Sequence, residues 1–158
     1  MKVFVKNKFA SLGGSSTVTD EAGNRLFNVK GKLFSITKKK KIYDMDGKLQ
    51  YIVKNKFFNW WTHACFILSP EKQKIAMLKN RGFKRGYDVL GYADEFSIEG
   101  QGMGYSIVKN GNTIGLIRSN FMSLVDNFEI DVEEGENPAF LVAMIIAMDN
   151  IRDRKGRT

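Results

Sequence analysis

Apolar and basic positions recur together along this chain. The order apolar, basic, small or polar, basic appears as Val5-Lys6-Asn7-Lys8, Val29-Lys30-Gly31-Lys32, Val53-Lys54-Asn55-Lys56 and Leu78-Lys79-Asn80-Arg81, so successive copies start 24, 24 and 25 residues apart. An aromatic follows each copy, at Phe9, Phe34, Phe57 with Phe58, and Phe83, and a weaker echo stands at Ile117-Arg118-Ser119-Asn120-Phe121. Turn residues keep the same phase in Asp20-Glu21-Ala22-Gly23, Asp44-Met45-Asp46-Gly47 and Ser69-Pro70-Glu71-Lys72, and Asn110-Gly111 is a two-residue hairpin signal. A unit of this length holding one tight turn has room for two ordinary strands, so each repeat predicts a β-hairpin.

Read at this period, the chain predicts strands at Val3–Lys8, Ser16–Thr19, Arg25–Lys30, Leu33–Thr37, Lys40–Asp44, Leu49–Lys54, Thr62–Leu68, Ile75–Lys79, Tyr87–Gly91, Glu95–Glu99, Tyr105–Lys109, Thr113–Arg118 and Asn127–Val132. The pattern then breaks. Asn137 can cap a helix, Pro138 suits its first turn, and Ala139 to Met148 is an unbroken apolar run. Phe140, Leu141, Val142, Met144, Ile145, Ile146 and Met148 cover every side of that helix, so it has to be enclosed. The run is too short to cross a bilayer, which takes about 20 apolar residues. A helix over Pro138–Ile151 rises about 21 Å, the height of a strand of six or seven residues. The expected organisation is one domain over residues 1–158: barrel hairpins over 1–134, a central helix over 137–152 and a basic tail over 153–158.

Composition supports this reading. An apolar content of 43% suffices for a core without disulfide or metal, and fifteen glycines against two prolines suit a protein of many tight turns. The net charge of +8 favours polyanionic partners and says nothing about the fold. Cys65 is the one cysteine, so no intrachain disulfide forms. Met1-Lys2 is followed by only Val3 to Val5 before Lys6, too little for a secretory apolar region. The expected location is cytoplasmic, with peripheral attachment to a membrane surface as an option, and no cofactor is implied.

The segments Val29-Lys30-Gly31-Lys32-Leu33-Phe34-Ser35, Ile42-Tyr43-Asp44-Met45-Asp46-Gly47 and Phe140 to Asp149 together resemble the LURP-one-related family, over nearly the whole chain. That family belongs with the tubby-like C-terminal domains and the phospholipid scramblases. The resemblance implies a mainly β protein: a closed antiparallel barrel of about twelve strands around one apolar C-terminal helix. Its relatives include phosphoinositide-binding tubby proteins and proposed lipid-moving scramblases, and fold alone does not choose among such functions. No tubby ligand residue or scramblase calcium motif carries over to a position of this chain.

The candidate chemistry is cationic. Residues two apart on a strand share a face, so Lys30 with Lys32 and Lys54 with Lys56 should project outward. With Lys6, Lys8, Lys79 and Arg81 they would form an outer basic belt for anionic ligands, joined by Lys38, Lys39, Lys40 and Lys41 as a mobile basic tip. An exposed lysine on a barrel also needs no ligand to explain it. Trp60 and Trp61, beside Lys54 and Lys56, combine interfacial aromatics with cations and are candidates for membrane docking, although such rings also serve as core. His63 and Cys65 would share a strand face, but no third group orients them as base and nucleophile. Asp44, Asp46 and Gly47 lack the remaining ligands of a calcium loop. Glu129, Asp131, Glu133, Glu134 and Glu136 are accounted for by the neighbouring helix N-terminus, so no metal site is expected. Asp149, following the buried run, needs a partner, either Arg152 or a barrel lysine.

These residues predict a non-enzymatic module for anionic phospholipid or phosphoinositide head groups. The alternatives are a protein-interaction or structural scaffold and, less supported, scramblase-like lipid transport. A nucleic-acid partner is not expected, and the sequence sets no oligomeric state.

Overall fold

The computed structural model describes residues 1–7, 15–31, 36–57, 63–119 and 127–155. Among them the strands are β1 (Lys2–Asn7), β2 (Ser16–Asp20), β3 (Arg25–Gly31), β4 (Lys40–Tyr43), β5 (Leu49–Asn55), β6 (Ala64–Leu68), β7 (Lys74–Asn80), β8 (Gly86–Leu90), β9 (Phe96–Gln101), β10 (Gly104–Lys109), β11 (Asn112–Ser119) and β12 (Asn127–Val132). Each pairs antiparallel with its neighbour in the chain, and β1 pairs with β12 from Lys2↔Asp131 to Lys6↔Asn127, which closes the barrel. These strands lie within two residues of the expected ones. The expected strand Leu33–Thr37 falls mostly outside the described residues, and its last members, Ile36 and Thr37, are in a turn.

Alternation explains the strands. On β3, Phe27 and Val29 are buried while Arg25 and Lys30 face solvent; on β7, Ala76 and Leu78 are buried; on β12, Phe128, Ile130 and Val132 are buried. The repeated turns share one chemistry. The Asp44 carboxylate accepts the N–H groups of Asp46 (3.1 Å) and Lys48 (2.8 Å), and Gly47 takes φ 79°. Asp20 accepts the Asn24 N–H at 2.8 Å, and Gly23 takes φ 84°. Both glycines lie in the left-handed region, where a side chain would be strained.

The helix α1 (Pro138–Lys155) runs through the barrel and packs mainly on β5 and β6. Asn137 caps it: its Oδ1 accepts the N–H groups of Ala139 (3.1 Å) and Phe140 (3.2 Å). Every residue from Ala139 to Met148 is buried, as the all-round apolar pattern requires. Phe140 anchors the entry, stacking on Tyr92 with ring centroids 4.2 Å apart and meeting Phe96 and Tyr51 edge-on at 5.5 and 5.8 Å. The helix is longer than expected, so part of the basic tail assigned to 153–158 is helical through Lys155.

Topology gives the barrel two distinct ends. Every link joins antiparallel neighbours, so the odd-numbered strands all run one way and finish at the same end, here termed the upper end, with Gly31, Asn55 and Asn80 among their last residues. The turns at Gly23 and Gly47 lie at the lower end, where α1 also begins. The described parts of the repeat, Lys6-Asn7, Lys30-Gly31, Lys54-Asn55-Lys56 and Lys79-Asn80-Arg81, therefore lie toward the upper end.

Because Phe140 fills the core on three aromatic contacts, Phe140→Ala should cost about 3–5 kcal/mol of stability. Urea unfolding followed by circular dichroism measures it; a loss under about 1 kcal/mol would contradict the packing described.

Candidate functional site

The register of β3, β4 and β5 brings three lysines of the candidate set onto one outer surface. On β4, Lys40 and Ile42 are buried, which turns Lys41 and Tyr43 outward. Lys30 stands directly opposite Lys41, Lys41 stands opposite Ile52, and Lys54 follows two residues later on the same face of β5. Side chains opposite one another in a sheet are about 5 Å apart at Cβ, and like charges there repel. A bound anion between them would relieve that repulsion. The Lys30 ammonium also lies over the Tyr43 ring, 5.3 Å from its centroid.

These three lysines lie close in the sheet register, and none is matched to a carboxylate among the described residues. Among the described residues Lys30, Lys41 and Lys54 form no ion pair, whereas Lys2 meets Glu129 (3.8 Å), Arg118 meets Glu129 (3.0 Å) and Lys109 meets Glu136 (3.1 Å). On β3 to β5 these three positive charges stand together toward the upper end. Of the repeat's basic residues, Arg81 is matched to carboxylates, those of Asp88 and Glu99.

Several candidates lie elsewhere. Lys40 points into the barrel, so it is not an exposed ligand. Lys38–Lys41 is not a mobile tip either: Lys40 and Lys41 belong to β4, and the Lys38 carbonyl accepts Asn150 Nδ2 from α1 at 3.0 Å. Lys39 and Lys56 are half-buried beside β4 and β5. Lys79 faces outward opposite Asp88. Arg81 is committed within the protein, since its guanidinium binds Asp88 at 2.7 Å and Glu99 at 2.5 Å and holds the Glu99 carboxyl below the usual range. Lys32, Trp60 and Trp61 lie outside the described residues.

The model of the LURP-one-related family matches residues 1–149. The chain belongs to the LURP-one-related family. An X-ray structure of a protein from Arabidopsis thaliana superposes on this LURP-one-related chain with a TM-score of 0.66, covering 96% of this chain and 91% of that one at 17% identity. At that identity the likeness is one of fold. No curated protein matches the sequence significantly.

The interior of this LURP-one-related barrel carries a polar cluster that the sequence pattern only half announced. Asp149, buried near the C-terminal end of α1, takes a barrel lysine as its partner: Lys40 Nζ lies 3.5 Å from its Oδ2, and both side chains are almost wholly enclosed. Asn150 is fully buried beside them. Cys65 faces the same region, and desolvation pushes its thiol up to about 12, with Asn150 and Lys40 opposing weakly. The thiol therefore stays protonated at neutral pH and is a poor nucleophile. His63 precedes β6, and its carbonyl accepts the Asn80 N–H at 3.1 Å.

A buried charge left without its partner is expensive, so Lys40→Met should destabilise the protein by about 3–5 kcal/mol, while Lys40→Met with Asp149→Leu should recover most of that loss. Chemical denaturation of the three proteins tests the pair; additive losses would refute it. Cys65 should resist iodoacetamide at pH 8 in the native protein and react once urea unfolds it, as read by intact mass. Rapid native alkylation would show the thiol to be accessible.

Proposed function

We propose that this protein binds anionic phospholipid surfaces without catalysing a reaction, through the face formed by Lys30, Lys41 and Lys54. The observation that carries this reading is the set of three outward-facing lysines, close in register on adjacent strands, with no carboxylate partner among the described residues. Phosphate-rich surfaces attract such groups, each lysine near an anionic leaflet contributing about 1 kcal/mol. The interior supports an external site, because α1 occupies the barrel and its side chains from Ala139 to Met148 are buried. Transport of lipid through the lumen has no path past them. Attachment would be peripheral, since among the described residues no helix is long and apolar enough to cross a membrane.

Co-sedimentation with vesicles of phosphatidylserine and phosphatidylcholine, against phosphatidylcholine alone, is the direct test. Binding should require the anionic lipid and fall with added salt. Replacing Lys30, Lys41 and Lys54 together by Gln should weaken it by about 3 kcal/mol, or on the order of a hundredfold. Lys48→Glu, in the lower turn between β4 and β5, should leave binding unchanged. Failure to bind anionic vesicles at low salt would end this reading.

A further inference from the structure

Four connections at the upper end hold a large apolar side chain in water. Ile36 before β4 is 83% exposed, Phe57 after β5 is 53% exposed, Phe83 between β7 and β8 is fully exposed, and Met103 between β9 and β10 is 86% exposed. Single exposed apolar residues are ordinary on protein surfaces. These four are different because they occupy four successive upper connections, and because cations lie close in sequence to three of them: Lys38 and Lys39 to Ile36, Lys56 to Phe57, and Lys84 and Arg85 to Phe83. No Asp or Glu occurs in the described stretches 36–39, 56–57, 81–85 and 102–103. The turn bearing Met103 is held by Arg85, whose guanidinium donates to the carbonyls of Gly102 (2.5 Å) and Gly104 (3.1 Å). The lower end is built otherwise. It too exposes apolar side chains, Met1, Met45 and Leu90, but its connections mix Lys48 and Lys72 with Glu21, Asp44, Asp46, Glu71, Asp94, Glu133 and Glu134, so carboxylates predominate there.

The order of groups along the barrel axis fits one side of a bilayer. The apolar tips come first, in the connections. Lys30 and Lys54 come next, each one residue inside the end of its strand, and Lys41 lies one residue inside the start of β4. At about 3.3 Å per residue the backbone at these lysines lies behind the connections that bear the tips, and the Lys30 ammonium, over the Tyr43 ring, lies further back still. A leaflet presents its layers in the matching order: phosphates outermost, and the acyl boundary about 5–10 Å deeper. The geometry points to end-on docking, in which Ile36, Phe57, Phe83 and Met103 insert into an anionic leaflet while the three lysines lie at its phosphates and the carboxylate-bearing end faces away. The inference rests on the lipid-binding reading and adds to it an orientation and an apolar contribution that salt does not screen.

The full chain carrying Phe83→Cys or Met103→Cys, labelled with an environment-sensitive fluorophore, provides the test, with Glu71→Cys at the lower end as reference; Cys65 is buried and stays unlabelled. On vesicles of phosphatidylserine and phosphatidylcholine, the labels at 83 and 103 should shift to an apolar emission and be quenched by brominated acyl chains, while the label at 71 stays in water. Phe83→Ser and Met103→Ser should each weaken vesicle binding roughly tenfold, the size expected for one withdrawn apolar side chain, and the residual binding should be more sensitive to salt. Binding with all three labels in water, and unchanged in the Ser variants, would overturn insertion and leave electrostatic lipid binding standing. No binding to anionic vesicles would overturn both. Self-association without vesicles that the Ser variants abolish would assign the tips to a second copy of the chain and overturn the proposal.

Discussion

A helix that is apolar on every side must be removed from water on every side, and the rest of this molecule follows from that requirement. One packed layer would leave the far side of Phe140 to Met148 wet, and two layers would leave its flanks wet. A closed sheet covers all of it. Closure also uses the edges of all the described strands, since β1 finds β12, and among them no lateral row of backbone donors is left for strand addition. A partner therefore has to recognise side chains and connections.

Closure creates a second condition at the upper end of the barrel. There α1 changes from apolar to charged at Asp149, while still enclosed. An isolated carboxylate would be costly at that depth, and Lys40 supplies the opposite charge from β4. Asn150 ties the same stretch of helix to the Lys38 carbonyl. The segment leading into β4 thus serves two surfaces at once: Lys38 and Lys40 hold the helix, and Lys41 faces outward with Lys30 and Lys54.

Much of this was legible in the sequence. The recurrence of Val5, Val29, Val53 and Leu78 carried the hairpins, the aspartate and glycine pairs carried the turns, and the apolar run after Asn137 carried the helix and its enclosure. The need of Asp149 for a partner was visible too, with a barrel lysine as one of two choices. What misled was the density of charge in Lys38 to Lys41, which reads as a solvated loop by composition. Strand parity reads otherwise, since Lys40 shares its face with the buried Ile42 and is drawn inside. Arg81 fitted the repeat as a fourth copy, yet its partners Asp88 and Glu99 come from later strands, and which residues a register sets side by side is not written in local spacing. The exposed tips at Phe83 and Met103 escaped for a similar reason: nothing in a linear reading says that four separated connections emerge together.

The barrel's pairing has a consequence for how such a chain can vary. A closed meander in which all neighbours are antiparallel demands an even number of strands, so length can change without opening the wall only by whole hairpins. Because the repeat is itself a hairpin, gaining or losing one would alter the bore while every remaining Lys-x-Lys segment kept its direction. The two ends would keep their separate characters through such a change. Polarity in this protein is a property of parity rather than of any single residue, and it would outlast the substitution of most of them.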